Sequence, residues 1–142
     1  MLYLDSSAIV KLVLEETESS ALRAWLGERP FGVTSGLGPV EVRRTVRLYV
    51  ERALSRATSR GPNVNEVTTR AETVLSGIVV LEIDEAILSH AARVDPSNLH
   101  ALDAIHLASA LSLEGLEAFV AYDRELREAA QAAGLNVAAP GA

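Results

Sequence analysis

Two aspartates stand where a parallel sheet would gather them. Asp5 directly follows the apolar run at residues 2–4, and Asp123 comes two residues after the apolar run at 118–121. In open parallel sheets, binding and catalytic sites form outside the carboxyl ends of the strands. If both runs are strands of one sheet, the two carboxylates lie at the edge where a site is expected.

Two further acids interrupt apolar sequence. Glu41 lies between Val40 and Val42 near the start of a predicted helix, and Asp103 lies within the segment LDAI. Burying a carboxylate without a partner is costly, and several carboxylates together repel one another. Only one lysine, Lys11, occurs in the chain. A divalent cation would resolve the conflict, because Mg²⁺ and Mn²⁺ prefer oxygen ligands and retain several waters.

A carboxylate metal site of this kind could activate water and support an in-line displacement at phosphorus. Each acid also has a local explanation. Asp5, Asp103 and Asp123 stand at or near predicted helix starts, where aspartate caps free backbone amides. Glu41 is favoured near a helix N-terminus by the helix dipole. The residues alone leave both interpretations open.

Other reaction chemistries lack their residues. Cysteine is absent, which removes disulfides, thiolate metal sites and cysteine nucleophiles. Phosphate-binding glycine motifs, a GxSxG elbow and an HExxH pair are also absent. His106, between two apolar neighbours, is predicted to be a packed or hydrogen-bonded core residue. Ser6 is a candidate hydroxyl at the site, as is Ser7, although serines are also common at helix starts.

Positive charge is concentrated in one segment. The net charge is −6, so binding of nucleic acid through bulk charge alone is not expected. Six arginines, which we call the arginine segment, lie at Arg43, Arg44, Arg47, Arg52, Arg56 and Arg60. They form either a solvated helix face or a contact surface for RNA phosphates or an acidic partner.

The apolar pattern alternates strands and helices. Strands are predicted at 2–4, 31–34, 77–83, 118–121 and 136–138, and helices at 7–14, 18–27, 40–57, 65–76, 86–94, 103–113 and 124–133. The β-branched run at 78–81 is typical of a strand covered on both faces, and residues 57–65 are predicted to form a loop. The pattern favours one α/β domain over residues 1–142, with a parallel sheet and helices on both faces. Without an apolar run of about 18 residues, no membrane span is expected, and a cytoplasmic location fits.

The chain resembles the PIN-domain ribonucleases, and among them the VapC toxins of bacterial type II toxin–antitoxin pairs. The resemblance is carried by LDSSAIVKL at 4–12, VEVRR at 40–44, LDAIHLASA at 102–110 and YDREL at 122–126. These segments follow one another in the family's order across nearly the whole chain. The pair LDAIHLA and YDREL is more specific than any single segment.

The resemblance implies a metal-dependent endoribonuclease. The family's catalytic and metal-binding acids fall on Asp5, Glu41, Asp103 and Asp123. Three of them, without Asp123, are expected to hold Mg²⁺ or Mn²⁺, and Asp123 is expected in the outer shell or on a second ion. The implied fold is a three-layer domain whose central sheet has an order near 3-2-1-4-5. The implied partners are an RNA substrate, a VapB-type antitoxin whose tail enters the acidic cleft, and a second copy of the chain.

Two alternatives are weighed against this interpretation. Ala121 stands where many relatives carry Thr or Ser two residues before the last acid. This departure favours a PIN-fold module that binds RNA or a protein with weak or lost catalysis, whereas four intact acids argue against it. A phosphoacceptor signalling domain would need paired acids after the first strand and a lysine near the last one, and this chain has neither.

Overall fold

The computed structural model describes residues 1–29, 32–56 and 63–142. Its strands are β1 Leu2–Leu4, β2 Gly32–Ser35, β3 Val79–Leu81, β4 Ala118–Val120 and β5 Val137–Ala138. Its helices are α1 Ser6–Val13, α2 Ser19–Leu26, α3 Leu37–Ser55, α4 Val64–Ser76, α5 Glu85–Ala91, α6 Ala101–Leu111 and α7 Arg124–Ala132. Strands and helices thus alternate as the apolar pattern predicts.

The strands form one parallel sheet in the order β3-β2-β1-β4-β5, which confirms the predicted order. The first strand, β1, lies between β2 and β4. The chain therefore builds the sheet first in one direction from β1 and then in the other. This change of direction creates a switch point at the carboxyl ends of β1 and β4, where a crevice opens.

Helices cover both faces of the sheet, as predicted. Successive side chains of β1 point to opposite faces, so each face carries apolar side chains that the helices bury. Leu2 and Leu4 join the core formed with α1, α2, α3 and α4. Tyr3 joins the second core, formed with α6 and α7. The three layers place α3 on one side of the switch point and α6 on the other, so side chains from both can reach the crevice.

The start of α3 lies unusually close to the sheet. A Cβ atom at Gly38 would collide with the side chain of Thr34 in β2, so glycine permits the approach. The Ser35 hydroxyl accepts a hydrogen bond from the Leu37 amide at 3.2 Å. That bond, together with Pro39 in the first turn, begins the helix three residues before the predicted start.

The prediction that the strand at 78–81 is covered on both faces is wrong. β3 is an edge strand, and Val79 and Val80 are 52% and 48% exposed. A β-branched run has the same composition at an edge and in a sheet interior, so neighbours in space decide its burial. Residue 31 of the second predicted strand and residues 57–62 of the predicted loop lie outside the described residues.

Candidate active site

Asp5 connects the central strand to α1, and its surroundings fix its carboxylate. It is the N-cap of α1, where its Oδ2 accepts hydrogen bonds from the Ser7 amide at 3.1 Å and the Ser7 hydroxyl at 2.6 Å. Its own amide donates to the Val120 carbonyl of β4 at 2.9 Å. Only 3% of the residue is exposed. Asp5 therefore caps α1 and also lies at the switch point, so its capping role leaves its place at the predicted site unchanged.

The Ser7 hydroxyl ties Asp5 to the loop that carries Asp123. While donating to Asp5, Ser7 Oγ accepts a hydrogen bond from the Tyr122 amide at 3.0 Å. Both serines were candidates in the sequence, and the hydroxyl that contacts Asp5 is that of Ser7. The Asp-x-Ser spacing at a helix start is the signal that favours Ser7. A role for Ser6 stays a prediction.

Asp123 follows β4 and begins α7, so it also caps a helix. Its Oδ1 accepts a hydrogen bond from the Leu126 amide at 2.9 Å. The residue is exposed, unlike Asp5. Ala121, which precedes it by two positions, is fully buried in the core that contains Tyr3. The structure thus places Asp123 on the rim of the crevice and leaves no hydroxyl at position 121.

Asp103 does not cap its helix but lies in the first turn of α6, half-buried. Burial, with the nearby negative charges of Asp5 and Asp123, raises the pKa of its carboxyl to about 6, although His106 and His100 oppose the rise. A charge effect of this kind requires the three aspartates to lie near one another. Asp5 and Asp123 at the sheet ends therefore lie close enough to Asp103 for their charges to act on it.

Glu41 reaches the site through His106. The His106 side chain is fully buried, and its Nε2 lies 2.6 Å from Glu41 Oε2 and 3.6 Å from Asp5 Oδ1. Burial alone would lower the pKa of His106, but the hydrogen bond to Glu41 and the charges of Asp5, Glu41 and Asp103 raise it overall. The prediction that His106 is a hydrogen-bonded core residue is confirmed. Its contact with two predicted site acids was missed, although its position three residues after Asp103 places both on one helix face.

We call Asp5, Glu41, Asp103 and Asp123 the carboxylate cluster. Lys11 does not neutralise it, because its ammonium group binds Glu16 at 2.6 Å and Glu18 at 2.7 Å. Carboxylate oxygens suit a hard divalent cation, so the chemistry of these side chains fits Mg²⁺ or Mn²⁺. Over residues 1–29, 32–56 and 63–142, no group of three or more His, Asp or Glu side chains is arranged closely enough to hold a metal ion directly. Waters between carboxylates and ion would have to complete the coordination.

The arginine segment begins beside the carboxylate cluster. Within the described residues it is exposed, with Arg43 bound to Glu72 at 2.8 Å and Arg47 bound to Glu51 at 2.8 Å. Arg44 and Arg47 line a surface depression of about 480 Å³. Arg44 follows Glu41 by one helical turn, so the depression continues the helix face that carries this acid. Arg60 lies outside the described residues.

Among the described residues, no helix is both long and apolar enough to cross a bilayer.

Comparison with known proteins identifies relatives along almost the full chain. A family model described as PIN domain matches residues 2–132. Ribonuclease VapC47 of Mycobacterium tuberculosis is 37% identical over 147 residues, covering 100% of this chain and 98% of that protein. Ribonuclease VapC35 of the same species is 41% identical over 146 residues, covering 99% and 98%.

Solved structures share the fold at low sequence identity. The M. tuberculosis toxin VapC20, described as cleaving the sarcin-ricin loop, is 19% identical with a TM-score of 0.65 and covers 99% of this chain and 100% of its own. A chain of FitAB bound to the IR36 DNA fragment is also 19% identical, with a TM-score of 0.72 and coverage of 100% and 96%. At this identity the likeness establishes the three-layer architecture.

Proposed function

This chain belongs to the PIN domain family, and on that premise we propose that it is a VapC-type toxin that cleaves RNA internally. Curated relatives named ribonuclease VapC, at 37% and 41% identity over nearly the full length, support the ribonuclease activity. The structural observation that carries the proposal is that Asp5 and Asp123 follow the adjacent strands β1 and β4, with Asp103 of α6 near enough to feel their charges. We further propose that residues 1–142 form one domain, of which the family model matches residues 2–132.

We propose Mg²⁺ as the cofactor, with Mn²⁺ as a substitute. Asp5, Glu41 and Asp103 would hold the ion, with Asp123 in the outer shell or on a second ion. The ion, when bound, would supply an activated water and stabilise the negative charge that develops at the scissile phosphate. The raised pKa of Asp103 supports this assignment, because a cation would relieve the repulsion among the carboxylates.

The protein's own residues orient the acids and the substrate. The Ser7 hydroxyl holds the Asp5 carboxylate, and His106 holds that of Glu41. Arg44 and Arg47 would bind RNA phosphates in the depression beside the cluster, offsetting the net charge of −6 locally. The acids would then act on the phosphodiester next to the bound phosphates.

A VapB-type antitoxin is the proposed protein partner, and a homodimer is the proposed assembly in the cytoplasm. An antitoxin tail could engage the arginine segment, where Arg43, Arg52 and Arg56 are exposed beyond the depression. Charge-assisted hydrogen bonds from arginine to carboxylates suit an acidic tail. Occupying this surface would also block the path of RNA to the acids.

The decisive experiment is cleavage of a structured RNA with Mn²⁺, with EDTA, and by the variant Asp103→Asn. We expect cleavage that needs Mn²⁺ and is lost in the variant while its circular dichroism spectrum is unchanged. Glu114→Gln, an exposed acid beyond the far end of α6, is the matched control and should cleave normally. Full activity of Asp103→Asn would remove this residue from the mechanism.

A second candidate function is RNA or protein binding with weak catalysis. The buried methyl group of Ala121 favours it, since a hydroxyl that could orient water is missing next to the acids. The same assay separates the two functions. RNA binding without cleavage in any divalent cation would favour the binding module over the nuclease.

A further inference from the structure

Both ring nitrogens of His106 have partners, although the side chain is fully buried. Nε2 lies 2.6 Å from Glu41 Oε2, and Nδ1 lies 2.8 Å from the Tyr3 hydroxyl. Glu41 belongs to α3, His106 to α6 and Tyr3 to the central strand β1. The imidazole therefore links three separate elements at the point where they meet the crevice.

The direction of these hydrogen bonds follows from the partners of Tyr3. The Ser35 amide donates to the Tyr3 oxygen at 3.2 Å, which leaves the phenol hydrogen free to be donated to Nδ1, and the Ser35 hydroxyl lies farther from that nitrogen, at 3.4 Å. In the neutral ring, an acceptor at Nδ1 requires the hydrogen to be on Nε2. In the protonated ring, Nε2 carries a hydrogen as well. His106 therefore donates to Glu41 in either charge state.

The fully buried Tyr3 ring provides a rigid anchor. It is stacked on Phe119 of β4 with centroids 5.2 Å apart and an interplanar angle of 11°, and it meets the imidazole edge-on at 6.0 Å and 81°. Burial raises the pKa of the phenol, so the hydroxyl keeps its hydrogen throughout the neutral pH range. The orientation of His106 is thus set by the sheet and not by the crevice.

Glu41, in contrast, is a long side chain that is 25% exposed on a helix surface. Among the described residues, the Glu41 side chain forms one hydrogen bond, which is the bond to His106 Nε2. The same Nε2 lies 3.6 Å from Asp5 Oδ1. Without this donor, the carboxylate could rotate away from the other acids at little cost. One fixed donor therefore aims Glu41 towards Asp5.

We propose that His106, held by the Tyr3 hydroxyl, is the positioning residue that keeps Glu41 in the carboxylate cluster. This inference rests on the proposed nuclease function and deepens it. His106 touches neither RNA nor the ion in this role. It acts through Glu41, as groups that hydrogen-bond metal ligands generally do.

The first test compares His106→Leu with His106→Gln. Leucine removes the donor, and loss of such a supporting group typically costs about 10- to 100-fold in metal affinity or activity. We expect kcat to fall within that range in His106→Leu, with the KM for RNA unchanged because the arginines bind the substrate. Glutamine can donate from its amide, so His106→Gln should recover most of the loss. Equal kcat in wild type and His106→Leu, or no recovery in a folded His106→Gln, would overturn the proposal.

The second test uses Tyr3→Phe, which removes one oxygen and keeps the ring stack. We expect weaker Mn²⁺ binding, measured as the free ion by electron paramagnetic resonance, and a change in the imidazole ¹⁵N shifts of His106. Tyr49→Phe, on the exposed surface of α3, should change neither. Unaltered ¹⁵N shifts and Mn²⁺ binding in Tyr3→Phe would contradict the assigned anchor. If the wild-type protein cleaves no RNA, the proposed function fails. The ¹⁵N shifts still test separately whether the Tyr3 hydroxyl is hydrogen-bonded to His106.

Discussion

The carboxylate cluster and the arginine segment adjoin each other but are held in different ways. Asp5 is 3% exposed with both its amide and its carboxylate bonded, whereas Arg43 and Arg47 pair with Glu72 and Glu51 in solvent. Exposed ion pairs of this kind contribute little to stability, because water and salt screen the charges. The Asp5 carboxylate is thus held in one position by its hydrogen bonds, whereas the arginine side chains can change position in solvent and contribute mainly their charge. Single changes should therefore matter more in the cluster.

The largest expected effect comes from Asp5→Asn. Asparagine still caps α1, so the fold should persist, but RNA cleavage and the stabilisation by Mn²⁺ should be lost. A ligand of the native state at a hundred times its Kd stabilises by about 2.7 kcal/mol, seen as a rise in Tm. Asp84→Asn, which changes the corresponding cap of α5, is the matched control and should keep that rise. The same rise in Asp5→Asn would remove Asp5 from the metal site.

The next effect concerns the arginine segment. Replacing Arg44 and Arg47 together by Glu should raise the KM for RNA about tenfold or more and flatten its dependence on salt, while kcat holds. Arg52→Glu with Arg56→Glu, farther from the acids on the same segment, should have a smaller effect. Filter binding and kinetics at several salt concentrations measure both. If neither pair changes the affinity for RNA or for antitoxin, the segment is only a solvated helix face.

A smaller effect is expected from Ser7→Ala. The substitution removes the hydroxyl between Asp5 and the Tyr122 amide, and losing these partly buried hydrogen bonds, one of them to a charged group, costs about 1 to 3 kcal/mol of unfolding free energy. Mn²⁺ affinity should also fall, because the Asp5 carboxylate loses the hydroxyl that holds it beside the Tyr122 amide. Ser6→Ala is the neighbouring control in urea unfolding. A larger loss in Ser6→Ala than in Ser7→Ala would contradict the assignment of the hydroxyl.

The smallest effect separates stability from function at Asp103. In the folded state the pKa of the Asp103 carboxyl is about 6, above its ordinary value of 3.8. Ionisation therefore destabilises the fold increasingly as the pH rises from 3.8 to 6, and the full loss of stability is present above pH 6. Asp103→Asn removes this penalty and should stabilise the metal-free protein at pH 8 but not at pH 4. The side chain is partly exposed, so we expect about 1 kcal/mol. Urea unfolding in EDTA at both pH values measures it, and an equal effect at pH 4 and pH 8 would exclude charge repulsion as the cause.

Much of the fold could be predicted from residue patterns. Residues 2–4 and 118–121 were assigned as strands, and β1 and β4 lie within those bounds. The exposure of β3 could not be predicted, because composition does not reveal which strand lies at the edge. The early start of α3 depends on the hydrogen bond from the Leu37 amide to the Ser35 hydroxyl, which the apolar pattern of the sequence does not reveal.

The candidate site divides in the same way. The amino-acid sequence by itself determined that Asp5 and Asp123 stand at the junctions of a strand and a helix, because an apolar run precedes each of them and a helix start follows, and both signals are local. Only the tertiary structure decided how Glu41 joins them, through a histidine 65 positions away. Tyr3 is 103 positions from the same histidine. Such a chain of contacts has no local signal, since its members become neighbours only when α3 and α6 pack on opposite sides of the central strand.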